Sequence, residues 1–251
     1  MTDTQAPEAS APIEFRSDVV VELVRSSAHD SDVLFAARVS TQGEQTLEEA
    51  QHDPAVTEKR DRGLINYLMR DRHGSPFEHN SMTFYVQAPI FVFREFMRHR
   101  IASYNEESGR YREMRPVFYV PGADRNLVQV GKPGAYDFVP GEPEMTALVD
   151  EEARAVCTQA YQAYQRMLAA GIAREVARIV LPLNLYSSMY VTMNARALMN
   201  FLSLRTKRQD SHFPSFPQRE IEMVAEKMES LWEELMPLTA GAFGANGRVA
   251  P

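Results

Sequence analysis

The chain has 251 residues, with 27 Lys+Arg against 34 Asp+Glu for a formal net charge of −7, 44% hydrophobic residues and one Cys. That length supports a sizeable core in one domain, and the acidic balance excludes a protein that coats long nucleic acid, because counterion release needs a broad basic surface. The lone Cys157 excludes an intrachain disulfide framework and a Cys-rich zinc site, in keeping with a reducing cytoplasm.

Met1 to Pro12 is polar and rich in Ala, Pro and Thr; it lacks the apolar stretch of a secretory signal and reads as a frayed tail. Phe15 to Arg25, with Val19, Val20, Val21, Leu23 and Val24, predicts a strand. Asp30 or Ser31 is positioned to cap a helix over Asp32 to Ser40. Pro54 opens the next helix, whose stripe of Leu64, Ile65, Leu68 and Met69 ends near His73-Gly74. Ser81 to Gln87 alternates Met82, Phe84 and Val86 with polar residues or Tyr85, as a strand with one buried face does. Pro89 then starts a helix from Ile90 to His99.

Ser103 to Arg115 is too charged, and too poor in apolar periodicity, to be core. Phe118 to Val120 predicts a short extended piece, and Gly122 to Pro143, with four Gly and three Pro, a loop. Glu144 to Ala170 predicts a long amphipathic helix closed by Gly171, and Ile172 to Leu181 a shorter one stopped by Pro182. Tyr186 to Met193 predicts a strand and Asn194 the cap of a helix running to about Arg205. Ser211 to Pro217 breaks the chain before a last helix, Gln218 to Leu235. No apolar run nears the roughly 20 residues of a membrane span. Helices and strands without regular alternation predict one α+β domain over residues 13–245, a mixed or antiparallel sheet packed by helices, followed by a C-terminal tail at 246–251.

The 27 cations divide into 23 Arg and 4 Lys. Arginine's planar fork pairs bidentately with phosphate and carboxylate, so the skew suggests an anionic, planar ligand; GC-rich codon bias is the alternative, and Arg60, Arg62 and Arg248 read as plain surface arginines. Arg94, Glu95, Arg98, His99 and Arg100 crowd one predicted helix end. Arg94 and Arg98, four apart, would share a face, although cations at a helix C-terminus also complement its dipole by about 0.3–1 kcal/mol. Beyond them, Ser108-Gly109-Arg110 combines hydroxyl and backbone donors, a glycine that permits close approach and a forked cation, as a phosphate site requires. It has neither the Walker nor the dinucleotide glycine spacing, and a solvated charged loop is the competing reading.

Cys157, among Ala153, Val156, Ala160 and Tyr161, reads as an inert core thiol. Ser108 has no base at a defined spacing and reads as a ligand rather than a nucleophile. His29, His52 and His212 fall in loops, and His73 and His79, six apart, lack metal-ligand spacing, so no metal site is expected.

Arg98-His99-Arg100, seven residues, then Ser108 reproduces the RHR-x7-S signature of flavin-dependent thymidylate synthases, and Glu107-Ser108-Gly109-Arg110-Tyr111 continues that family's pattern. The agreement extends to His73-Gly74-Ser75-Pro76-Phe77-Glu78-His79, to Arg178 ahead of Leu181-Pro182, and to Asn194-Ala195-Arg196 with Asn200 and Arg205. The chain resembles that family over roughly residues 15–240, with Glu95 where Gln is common.

The resemblance implies a thymidylate-synthase-complementing-protein-like fold and an enzyme that makes dTMP from dUMP. The carbon would come from 5,10-methylenetetrahydrofolate and the hydride from FAD, which NADPH recharges. It implies FAD contacts from Ser75, Glu78, Arg98, His99, Arg100, Glu106, Asn194, Arg196 and Asn200, with His73 near flavin and folate. It implies dUMP contacts from Glu95, Phe96, Met97 and Arg98, from Glu106, Glu107, Ser108, Gly109 and Arg110, and from Arg178 and Arg205. Arg205 would act catalytically, since a fixed cation at the uracil edge favours the N3-ionised, enolate-like form. A cytoplasmic homotetramer with active sites shared between subunits is implied, without nucleic-acid or membrane partners. Two other readings are an NADPH-oxidising flavoprotein reductase and a non-catalytic nucleotide- or RNA-binding module built on Arg98 to Arg115.

Overall fold

Period-two alternation builds the central strands. In the computed structural model, which describes residues 12–43 and 54–251, Met82, Phe84 and Val86 are fully buried on one face of β3 (Met82–Pro89). Beside it run β2 (Val20–Ser26), β8 (Tyr186–Met193) and β4 (Ser103–Glu106), in the order β2-β3-β8-β4. β2 and β3 are antiparallel, pairing Val20 with Gln87 and Ser26 with Met82, with a register shift between Leu23 and Arg25. The α+β class follows from this sheet and the helices around it. The expected tail, apart from Pro12, and His52 lie outside the described residues.

The chain forms two compact units. Among described residues, one comprises 12–18, 88–93 and 106–187, and the other 19–87, 94–105 and 188–251, which carries most of the sheet.

In the first unit β1 (Glu14–Arg16) pairs in parallel with β5 (Val117–Tyr119), and β6 (Val128–Lys132) pairs with β7 (Ala135–Val139). These pack with α4 (Pro143–Ala169) and the single turn α5 (Arg174–Ala177) around Phe118, Tyr161, Tyr164 and Leu185. Cys157 is buried in the same cluster, where burial pushes its thiol pKa up and Asn184 is its polar partner. The second unit holds α1 (Asp30–Gln42), α2 (Pro54–Arg70), α6 (Ala195–Arg205), α7 (Arg219–Leu235) and α8 (Pro237–Ala245). Trp232, Phe77, Phe84, Phe96, Phe201 and Phe243 are its largest fully buried side chains. Among described residues no helix is long and apolar enough to cross a membrane.

Several local expectations are corrected. The residue before α1 is His29, whose N–H donates to Asp32 at 2.7 Å; Asp30 instead accepts from the N–H groups of Leu238 and Thr239 and from the Thr239 hydroxyl. α3 (Ile90–Phe96) stops three residues short of His99, so Arg98 lies in the following turn and shares no helical face with Arg94. The segment read as a loop after Gly122 contains the β6–β7 hairpin, closed through Pro133 and Gly134, the latter at φ 80°. α8 follows the helix taken as last. The stretch from Ile172 to Leu181 is α5 followed by a 3-10 turn, Arg178–Val180.

Arg248 is buried rather than superficial. Its guanidinium contacts Glu229 at 2.6 Å and the Thr206 hydroxyl at 2.9 Å, because the chain after α8 folds back over α6.

Three helices end in the same two-bond motif, in which a left-handed residue donates to the carbonyl three back and its successor to the carbonyl five back. Gly171 (φ 80°) closes α4 through Gly171–Leu168 and Ile172–Met167 bonds, and Gly247 (φ 72°) closes α8 through Gly247–Gly244 and Arg248–Phe243 bonds. Arg72 (φ 66°) closes α2, donating to Met69 while His73 donates to Leu68. A side chain in that conformation costs on the order of 1 kcal/mol relative to glycine.

Candidate active site

The turn after α3 and the last turn of α6 meet through three polar side chains of the second unit. Arg205 pairs with the Glu95 carboxylate, reaches the Glu95 carbonyl at 3.4 Å, and donates from Nε to His99 Nε2 at 3.1 Å. A donor facing Nε2 places the imidazole proton on Nδ1. His99 is neutral at pH 7: burial and the Arg205 charge lower its pKa to about 4. Its ring meets Phe201 edge-on at 4.9 Å, and Phe201 stacks on Phe96 at 4.8 Å. The Tyr104 hydroxyl lies 2.7 Å from the His99 carbonyl and 2.9 Å from that of Phe96, with burial raising its pKa to about 12. Tyr104 thus clamps the turn carrying Arg98, His99 and Arg100. Sequence reasoning missed that role, because the tyrosine lies in a segment read wholly as polar.

The second group gathers where Gly74 faces α6. Asn194 caps that helix by accepting from the Ala197 N–H at 2.9 Å, which sets Arg196 and Asn200 one turn apart. Arg196 pairs with Glu78 at 2.5 Å and donates to the Pro251 carbonyl at 2.6 Å. A Cβ on Gly74 would sit 2.6 Å from the Arg196 guanidinium and 2.8 Å from the Pro251 carbonyl oxygen, so any side chain there must displace both. Ser75 and Glu78 are the ends of the 3-10 turn that follows, and His73 stacks against Tyr67 with ring centroids 5.7 Å apart. Arg98 and Arg100 are exposed and have no ion-pair partner among the described residues. The forked cation of Arg196 against Gly74, with the Asn200 amide one turn on and the Ser75 hydroxyl next to the glycine, offers the kinds of donor that a pyrophosphate-bearing cofactor needs. This donor set fits FAD.

In the first unit, the Ser108 carbonyl accepts from the N–H groups of Tyr111 and Arg112 at 3.1 Å, and Gly109 is buried against Met114 and Arg178. Arg110 pairs with Glu175 at 2.7 Å and Glu107 with Arg112 at 3.3 Å. Arg178 is exposed at the start of its 3-10 turn. The Glu106 carboxyl accepts from Ser187 at 2.8 Å, and its pKa is raised by burial. Glu175 and Ser187, like Tyr104, carried no sequence signal. Among the described residues no cluster of His, Cys, Asp or Glu could hold a metal.

The thymidylate synthase complementing protein family matches residues 22–238. A flavin-dependent thymidylate synthase of Streptomyces coelicolor is 67% identical over 99% of this chain and 100% of its own, and one of Tropheryma whipplei is 60% identical over 94% and 97%. A UMP/dUMP methylase from Streptomyces cacaoi, solved with 5-Br dUMP, is 58% identical, covering 95% of this chain and 100% of its own with a TM-score of 0.89. On this family match over residues 22–238 and these identities, the chain belongs to the thymidylate synthase complementing proteins, the family of flavin-dependent thymidylate synthases.

Proposed function

We propose that this protein catalyses dUMP + 5,10-methylenetetrahydrofolate + NADPH + H⁺ → dTMP + tetrahydrofolate + NADP⁺, with FAD as its cofactor. The observation that carries the proposal is the arrangement around Arg205. Three of its five N–H groups are used by Glu95 and His99, leaving two for a ligand. The Glu95 ion pair fixes the plane of the fork, and neutral His99 adds no competing charge.

Arg205 lies along the uracil edge of dUMP, stabilises negative charge at N3 and O4, and so makes C5 nucleophilic toward the methylene carbon. Ser108, Gly109, Arg110 and Arg178 hold the phosphate, with Glu95 to Arg98, Glu106 and Glu107 lining the nucleotide. His73, Ser75, Glu78, His99, Arg98, Arg100, Glu106, Asn194, Arg196 and Asn200 hold FAD, which when bound supplies the hydride that reduces the transferred carbon; the protein contributes position and electrostatics.

The state of Cys157 supports a route without a thiolate nucleophile, since burial keeps the thiol protonated. We further propose, from the family resemblance, a cytoplasmic homotetramer with shared sites. The names of the relatives support dUMP as the substrate and a flavin as the cofactor.

The test is to purify the protein, record its flavin spectrum, supply the three substrates and measure dTMP. Yellow protein and dTMP formation are expected; NADPH oxidation without dTMP would mark a reductase, and a protein colourless even after FAD is added a nucleotide-binding module.

A further inference from the structure

The segment after α8 reads in the sequence as a tail, yet Arg248, Ala250 and Pro251 are all buried. Gly247, left-handed at φ 72°, turns the chain back, and its carbonyl accepts from the His212 N–H at 2.9 Å. From there the chain runs antiparallel to α6. The Arg248 guanidinium is anchored on Glu229 of α7 at 2.6 Å and on the Thr206 hydroxyl at 2.9 Å, and the Arg248 carbonyl accepts from the Ser203 hydroxyl at 2.7 Å. The Pro251 carbonyl then accepts from Nε of Arg196, at the other end of α6, at 2.6 Å.

The spacing of these attachments is matched. From Ser203 back to Arg196 the helix rises about 10.5 Å, and from Arg248 to Pro251 an extended chain spans at most about 10–11 Å. A proline also disfavours the helical region for the residue before it, which keeps Ala250 extended. The anchor at Arg248 thus sets where the Pro251 carbonyl can stand.

Arg196 is the cation assigned to FAD under the proposed function. Pro251 holds its Nε and Glu78 its Nη1, and neither bond uses Nη2. The two contacts fix the plane of the fork and leave the Nη2 hydrogens for a phosphate. A carbonyl is neutral, so it orients the guanidinium without cancelling charge as a second carboxylate would. We propose that residues 248–251 are a positioning strap of the cofactor site: the Arg248–Glu229 pair pins one end, and the Pro251 carbonyl at the other sets the Arg196 guanidinium for an anionic group of the cofactor. That this cofactor is FAD rests on the proposed function; that Pro251 orients Arg196 does not.

The test compares wild type with a variant lacking Ala250 and Pro251, which removes the acceptor and leaves the Arg248 anchor. In flavin-free protein, modification by phenylglyoxal is followed by peptide mass spectrometry, with the exposed Arg98 and Arg100 as internal references. Arg196 should react slowly in wild type and several-fold faster in the deletion, while the references are unchanged. FAD titration should show the deletion weakening affinity about tenfold, whereas in an Arg196→Ala background the same deletion should change it less than about twofold. Pro251→Ala, which keeps the carbonyl, should retain wild-type affinity. Ser203→Ala, which frees the Arg248 carbonyl in a full-length chain, should act as the deletion does but more weakly, and carries the test if the deletion does not fold. Unchanged Arg196 reactivity would overturn the proposal, and so would FAD affinity that is unchanged or tighter, since a carbonyl competing with the cofactor leaves a stronger site when removed. An equal loss in the Arg196→Ala background, or in Pro251→Ala, would mark general packing and overturn it as well. Faster Arg196 modification on deletion, in a protein that binds no FAD, would uphold the strap and contradict the proposed function alone.

Discussion

Nε of Arg205 donates to Nε2 of His99 across 3.1 Å, joining side chains 106 positions apart. The bond fixes the histidine tautomer, and the histidine in turn fixes the guanidinium plane that Glu95 holds from its other side. Two members of the RHR-x7-S neighbourhood thus serve as the frame of a third residue far along the chain.

Arg205→Lys keeps the charge but has no fork with which to meet Glu95, His99 and a nucleotide together. Turnover should fall about 10²-fold, the usual consequence of losing one oriented donor at developing charge, while FAD titration is unchanged. Steady-state kinetics beside a flavin binding curve checks this; undiminished kcat would remove Arg205 from the chemistry.

His99 is held at about 4 against an unfolded value near 6.5, chiefly by burial. Both states are neutral above pH 6.5. As pH falls from there toward 4 the unfolded chain takes up the proton first, so the native state loses stability across that window. Melting temperature should decline more steeply between pH 6.5 and 5 in wild type than in His99→Gln. Parallel slopes would contradict a buried neutral imidazole.

Gly74→Ala places a methyl group where the Arg196 guanidinium now lies. The guanidinium is the far end of a flexible side chain and can shift, but the Pro251 carbonyl oxygen, 2.8 Å from the new methyl, is backbone and must move as well, so the fold should lose about 1–3 kcal/mol. FAD affinity should drop about tenfold or more through the displaced cation. Fluorescence titration with FAD, alongside thermal melting, separates the two effects.

Arg248→Met leaves Glu229, itself buried, with Arg208 alone as its partner. Removing one partner of a buried ion pair costs about 3 kcal/mol, and urea unfolding should show it. Adding Glu229→Leu should restore much of the loss.

Legibility followed the strength of local signals. β8 and the Asn194-capped α6 lie where the sequence places them, because alternation and a side-chain cap are short-range properties. The β6–β7 hairpin was hidden because its strands are mostly exposed, and Gly131, Pro133 and Gly134 look like loop when the two-residue turn they make is not recognised. α8 was hidden by its small residues, Gly241 and Gly244 among them, and by the absence of an amphipathic pattern. The site residues could be named from the resemblance, but their partnerships could not. Glu95 with Arg205, Arg196 with Glu78 and Ser187 with Glu106 are joined across long stretches of chain by tertiary packing, on which sequence spacing is silent.

The proposed activity is tested most directly by one anaerobic incubation of the FAD-loaded protein with dUMP, 5,10-methylenetetrahydrofolate and NADPH, followed by separation of the nucleotides. The account predicts dTMP and tetrahydrofolate in equal amounts, matched by the NADPH consumed. NADPH oxidised while dUMP is recovered unmethylated would contradict it.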